Sequence, residues 1–228
     1  MSNTRMTKPM DVWITILALG SLWGFSEVVV NGLIQRAGLP FRAAILTGIG
    51  FCLMAIAVAL FRKPWMLAGI AVVAILCKQL VVPILHVSVL CKANSCLAVL
   101  LEGLALAGAV SLAGRVLLQR GVARAGTGAA GALLAAGAFH YLGIRLAPCQ
   151  YLLSFNRPGG LLAFLVAEGV PWAISSALLF PLGYRIGEWL EANVLSLRLR
   201  QPVAYYAANA GLIAACWAAS AVAIAAGF

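Results

Sequence analysis

Charged side chains are scarce in this chain. Asp, Glu, Lys and Arg together make up only 10% of its residues, whereas 64% are hydrophobic and the mean hydropathy is +1.02. A water-soluble domain carries about a quarter charged residues, because its exterior has to be solvated. The shortage of charge therefore excludes an ordinary soluble domain and favours a chain whose exterior faces lipid.

Motifs of common soluble enzymes are also absent. The sequence has no P-loop and no Gly-x-Ser-x-Gly nucleophile elbow, and no segment between its apolar runs is long enough for an ATPase domain. The last apolar run has no lysine that could form a retinal Schiff base. No nucleophile–base pair stands out, so the sequence favours a role other than catalysis.

Long apolar runs are what the sequence has in abundance. An α-helix needs about 20 apolar residues to cross a hydrocarbon core of about 30 Å, and a helix pairs its backbone groups internally. We predict an all-α, polytopic membrane helical bundle of about seven transmembrane helices (six plus one) in a single domain, 1–228, in contact with the lipid bilayer. The predicted spans are 12–34, 42–61, 65–90, 96–119, 126–147, 160–183 and 203–226, and the mixed segment 184–200 is predicted to be an interfacial helix or an ordinary solvated connector.

Basic residues predict the orientation of the bundle. The net charge is +10, but the basic loops lack interleaved aromatic residues, so we expect no nucleic-acid partner. If the N-terminus lies inside, the inner segments hold more Lys and Arg than the outer loops do. Basic residues favour the inner side of a membrane, so this distribution predicts a cell-membrane protein with a cytoplasmic N-terminus and an outer C-terminus. The inner set is Arg5, Lys8, Arg62, Lys63, Arg115, Arg120, Arg124, Arg185, Arg198 and Arg200; the outer set is Arg36, Arg42, Lys92, Arg145 and Arg157.

Three acidic residues, Glu27, Glu102 and Glu168, fall inside predicted spans. Each costs about 2.5–3.5 kcal/mol there on insertion scales, so a partner or a function is expected. A rise of 1.5 Å per residue places them about 9–12 Å below the outer ends of their spans, in one layer with His86 and His140. We predict that this layer lines a pocket open to the outside.

The first span adds an aromatic ring and an amide to this layer. Trp23, Glu27 and Asn31 are spaced i, i+4, i+8 and are predicted to share one face, which suits a polar, cationic ligand. Lys78, about 18 Å deep, is a candidate to neutralise one carboxylate. The alternative is that the acids only bond neighbouring helices. The candidate ligand-binding residues are Trp23, Glu27, Asn31, Lys78, His86, Glu102, His140 and Glu168.

Metal and disulfide chemistry are further options. His86, His140, Glu102 and Glu168 are candidate metal ligands, although no C-x-x-C or H-x-x-x-H spacing accompanies them. No motif names a cofactor. Three cysteines in the outer loops are disulfide candidates, paired as Cys91–Cys96 or as one of these with Cys149.

A weak internal similarity relates two pairs of spans. The third and fourth spans carry His86, Cys91 and Glu102-Gly103, and the fifth and sixth carry His140, Cys149 and Glu168-Gly169. Duplicated helical units are common in transporters, so a repeat is one interpretation. Chance in an Ala-, Leu- and Gly-rich sequence is the other.

The stretch Gly20-Ser21-Leu22-Trp23-Gly24 leading to Glu27, together with the small-residue-rich helices, resembles the substrate-binding S components of energy-coupling factor transporters. The resemblance covers residues 10–190, and the seventh span departs from the six helices of that family. It implies capture of a vitamin or metal ion from outside, with energy from a separate ATPase module docked on the inner side.

Three functional hypotheses follow. The first is a transport-type subunit that binds a small cationic solute or a metal ion in an outward-facing pocket, with membrane partner subunits or an ATPase module as possible partners. The second is a membrane anchor or redox subunit of a larger complex that holds haem, quinone or metal through the histidines and outer cysteines. The third is a ligand-free assembly protein whose acids serve only helix packing.

Overall fold

A computed structural model of the chain describes residues 9–117 and 120–228. In this part of the chain, seven helical elements are long and apolar enough to cross a membrane, and none of its residues forms a strand. The elements are α1 (Pro9–Arg36), α2 (Arg42–Phe61), α3 (Met66–Leu85), α4 (Ala93–Leu117), α5 (Gly121–Leu146), α6 (Gly160–Arg200) and α7 (Pro202–Ala225). The predicted all-α bundle is confirmed, and the chain is a multi-pass membrane protein. Which membrane it occupies and which end faces the cytoplasm stay predictions.

Several of these elements are not uniform α-helix. One π-helical turn, Ser26–Val30, interrupts α1, and another, Leu165–Gly169, interrupts α6. Element α3 consists of two helices, Met66–Lys78 and Val81–Leu85. Gly114 in α4 has non-helical dihedral angles. Such interruptions change which residues share a face, and they matter for the site described below.

One predicted boundary differs from the structure. The third span was expected to reach residue 90, but α3 ends at Leu85 because His86 adopts a left-handed conformation (φ 52°). The segment 184–200 extends α6 as one continuous helix, and its position at the membrane interface stays a prediction. The predicted end of the fourth span, at residue 119, lies outside the described residues.

Close backbone approaches hold the spans together. At Gly183 of α6, a Cβ atom would lie 2.1 Å from the Cys52 carbonyl oxygen of α2, so only glycine permits this distance. At Gly24 of α1, a Cβ atom would lie 2.4 Å from the Cys77 Cβ atom of α3. These contacts hold α2 directly against α6 and α1 directly against α3.

Ion pairs lie at the end of the bundle where α1 begins. Arg198, near the end of α6, lies 3.0 Å from a carboxylate oxygen of the fully buried Asp11. Arg124 of α5 donates two hydrogen bonds to Glu188, of 3.1 and 2.8 Å. These pairs attach the 184–200 extension of α6 to α1 and α5.

Candidate functional site

A cavity of about 550 Å³ lies near the opposite end of the bundle, where α1, α3 and α5 end and α2, α4 and α6 begin. Its volume is typical of a site for a small molecule. The rim includes exposed side chains of Phe41, Arg42 and Tyr151. The polar side chains that line the cavity are Glu27, Asn31, Arg42, Thr47, Lys78, Asn94, Ser95, Tyr151, Glu168, Glu102 and Trp172.

Glu27 and Lys78 form an ion pair in the wall of the cavity. The Lys78 Nζ lies 2.6 Å from the Glu27 Oε2, and each side chain is less than a tenth exposed. A third span ending at residue 90 would put Lys78 about 18 Å deep. Because α3 ends at Leu85, Lys78 lies only seven residues from that end, or about 10 Å. The earlier end of α3 thus brings Lys78 to the level of Glu27.

Glu102 is the most isolated acidic group of the cavity. It is 4% exposed, and its Oε1 accepts a 3.0 Å hydrogen bond from the Thr47 hydroxyl. Its Oε2 is buried and has no hydrogen-bond partner. Buried polar atoms in proteins nearly always have a hydrogen-bond partner. This oxygen is therefore a candidate to accept a hydrogen bond from a bound molecule.

Glu168 is the third acid of the cavity. Its Oε1 accepts a 2.6 Å hydrogen bond from the hydroxyl of Tyr151, a residue of the short helix Gln150–Leu153 between α5 and α6. Burial and the adjacent Glu168 carboxylate raise the pKa of Tyr151, so the hydroxyl stays the proton donor at neutral pH. No residue in 9–117 or 120–228 forms an ion pair with Glu168.

Aromatic rings form much of the remaining wall. The rings of Phe139 of α5 and Phe164 of α6 pack against one another with centroids 6.2 Å apart, and the centroid of the Trp172 ring also lies 6.2 Å from that of Phe139. The Trp172 indole N–H is buried and has no hydrogen-bond partner. The cavity therefore combines carboxylates with an aromatic surface, an arrangement that attracts organic cations.

Both π-helical turns carry an acid of the cavity. Glu27 belongs to the turn Ser26–Val30, and Glu168 belongs to the turn Leu165–Gly169. An isolated π-turn inserts a residue into an α-helix, and such turns are frequent at functional sites. Glu102 and Glu168, the paired positions of the predicted repeat, both line the cavity; the repeat itself stays a prediction.

The structure thus brings together five of the eight candidate ligand-binding residues: Glu27, Asn31, Lys78, Glu102 and Glu168. The other three are not among the cavity-lining residues. Trp23 is fully buried and packs against Gly50 of α2, because the π-turn that starts at Ser26 breaks the i, i+4 spacing that was expected to align it with Glu27. His86 is exposed just past α3, and His140 packs its ring 5.4 Å from that of Phe164.

The candidate metal ligands do not form a cluster. Among the residues that the structure describes, no group of three or more His, Cys, Asp or Glu side chains is placed to hold a metal ion. All six cysteines are free thiols, including Cys91, Cys96 and Cys149. A disulfide between any two of these outer cysteines stays a prediction.

Several cavity residues were missed by the sequence analysis. Thr47 gave a usable signal, since it is a polar residue a few positions from the outer end of the second span. Tyr151 lies in a loop and Trp172 in an apolar run, so neither had a depth or a spacing that distinguished it. Arg42 was counted only as an outer charge.

Comparison of the chain with family models, with curated proteins and with solved structures gives no match. The resemblance to S components of energy-coupling factor transporters therefore stays an expectation from the sequence. The cavity and its residues carry the functional argument.

Proposed function

We propose that this protein is a transport-type membrane subunit that binds a small organic cation in the cavity between α1, α2, α4 and α6. The observation that carries the proposal is the buried Glu102 Oε2, an acceptor without a donor in the wall of a cavity of about 550 Å³. A charged donor on a solute would satisfy this oxygen, and such hydrogen bonds contribute about 1.5–3 kcal/mol.

The charges of the lining residues favour a cation over a neutral solute. Lys78 neutralises Glu27, which leaves Glu102 and Glu168 as the carboxylates that no described cation pairs. The rings of Phe139, Phe164 and Trp172 add a surface for an aromatic or aliphatic body. A metal ion is a weaker candidate, because oxygen-ligated cations take six or more ligands and these rings supply none.

Binding of phenethylamine to the purified full-length chain in detergent micelles tests the proposal. Isothermal titration should show binding of phenethylamine and much weaker binding of phenethyl alcohol, its neutral analogue. Glu102→Gln should weaken amine binding by about 10- to 100-fold, the value of one charge-assisted hydrogen bond. Glu191→Gln, at the other end of α6, is the matched control and should bind like the wild type.

Two results would overturn the proposal. Equal binding of amine and alcohol would show that the carboxylates do not recognise charge. Unchanged amine binding by both Glu102→Gln and Glu168→Gln would leave the acids with a packing role only. Visible absorption by the purified protein would instead favour the redox-subunit hypothesis, in which the histidines hold haem.

A further inference from the structure

A free cationic side chain lies at the rim of the acidic cavity. Arg42, the first residue of α2, lines the cavity and is exposed. Within the described ranges, no residue forms an ion pair, a hydrogen bond or a ring contact with its guanidinium. Lys78, in contrast, is held by Glu27. The cavity thus has the buried Glu102 carboxylate in its wall and an unpaired guanidinium at its rim.

One helix N-terminus lies at Arg42. Element α2 begins at Arg42, and its N-cap residue, Phe41, makes no side-chain cap hydrogen bond. Asn94 and Ser95 of α4 also line the cavity, but a 3₁₀ helix, Val89–Lys92, precedes α4, and the Ala93 N–H already donates to the Leu90 carbonyl. The first N–H groups of a helix have no intrahelical acceptor and carry a partial positive charge, so they favour an anion.

A buried donor in the wall gives independent support. Trp172 is 4% exposed and lines the same cavity, and its indole N–H has no partner. A simple cation has no acceptor to offer this N–H, whereas a carboxylate or phosphate group does. The unpaired groups of the cavity therefore include both acceptors for a cation and donors for an anion.

The helical rise gives the distance between the positively charged rim of the cavity and the Glu102 carboxylate. Arg42 precedes Thr47, the hydrogen-bond partner of Glu102, by five residues, or about 7.5 Å along α2. Ser95 precedes Glu102 by seven residues, or about 10 Å along α4. Opposite charges on a solute that meets both groups would thus lie on the order of 7–10 Å apart.

We infer that the solute is a zwitterion, with an ammonium-type group directed at Glu102 and Glu168 and a carboxylate or phosphate group held by Arg42 and the N-terminus of α2. This inference rests on the proposed function and narrows its substrate class. The derived separation favours a free zwitterion with an extended body, because only two carbon atoms separate the phosphate ester from the ammonium of a zwitterionic phospholipid headgroup; the headgroup is the alternative source that the test excludes.

The test compares two amines on the full chain in detergent. Para-carboxyphenethylamine carries the carboxylate that phenethylamine lacks, on the same aromatic body. The zwitterion should bind about tenfold more tightly, the effect of one charge-assisted hydrogen bond. Arg42→Gln should remove this advantage and should bind phenethylamine at least as tightly as the wild type, because the substitution removes a like charge from the rim of the cavity. Arg36→Gln is the matched control, because Arg36 lies at the same end, stacked on Phe228 and outside the cavity lining.

The outcomes separate this inference from the proposed function. Equal affinity for the two amines, with loss of both in Glu102→Gln, overturns the zwitterion and leaves the cation site. An advantage of the zwitterion that persists in Arg42→Gln also overturns the inference. If neither amine binds, both the proposed function and this inference are overturned.

The source of the zwitterion is decided in nanodiscs. If a phospholipid headgroup is the ligand, phosphatidylethanolamine nanodiscs should weaken binding of para-carboxyphenethylamine relative to phosphatidylglycerol nanodiscs. Equal affinity in both lipids identifies the free solute. Either result supports a zwitterion site, provided that the affinity still depends on Arg42.

Discussion

Replacement of Lys78 by Met should strongly destabilise the protein. The substitution preserves most of the side-chain volume but leaves the Glu27 carboxylate, which is 6% exposed, without its cation. Breaking a buried ion pair by removing one partner costs about 3–5 kcal/mol, because an uncompensated charge stays buried. We therefore expect the free energy of unfolding of Lys78→Met to fall by about that amount.

The double variant Glu27→Gln/Lys78→Met tests the reason for this loss. It removes both charges, so it should regain most of the stability lost in Lys78→Met. Reversible unfolding in mixed micelles, followed by tryptophan fluorescence, measures both values, and Lys92→Met, at an exposed position in the 3₁₀ helix Val89–Lys92, is the control. The reasoning is refuted if Lys78→Met stays within about 1 kcal/mol of the wild type, the range of a surface pair, or if the double variant is no more stable than the single one.

Three further predictions concern other parts of the bundle. Gly183→Ala should destabilise the protein by about 1–3 kcal/mol, because the added Cβ would clash with the Cys52 carbonyl oxygen. Gly211→Ala on α7, which has open space around it, is the control and should be neutral or slightly stabilising in the same unfolding assay. Equal effects of the two substitutions would contradict the α2–α6 contact. Asp11→Asn should cost about 3–5 kcal/mol, because the fully buried Asp11 pairs with Arg198 and also accepts a hydrogen bond from Tyr206. Glu188→Gln should cost less, because Arg124, the cation it leaves behind, keeps its contact with the Tyr184 ring; the reverse order in unfolding measurements would contradict this assignment. Because the pKa of Tyr151 is raised, the stability difference between wild type and Tyr151→Phe should be constant from neutrality up to about pH 10, the usual tyrosine pKa. It should disappear as the pH rises through the higher folded-state pKa. A pH titration of unfolding that loses the difference near neutrality would exclude this bond.

The fold class and the grouping of the three acids were predictable from the sequence. Hydropathy summed over about 20 residues is a local property, so seven spans could be recognised without their neighbours. The constant rise of a helix then placed Glu27, Glu102 and Glu168 in one layer. All three line one cavity in the structure.

The partners of those acids were decided only by tertiary structure. Lys78 forms its ion pair with Glu27 because α3 ends at Leu85, which puts the two residues at the same level. Trp23 does not share the cavity-facing side of α1 with Glu27, because the π-turn Ser26–Val30 changes the rotation of the helix between them. A sequence specifies how deep a residue lies, since depth follows from counting along one helix. It does not specify which neighbour that residue faces, because rotation and relative register depend on the packing of all seven helices. Tyr151 and Trp172 entered the site for the same reason, since the folded arrangement of α5 and α6 brings them to the cavity.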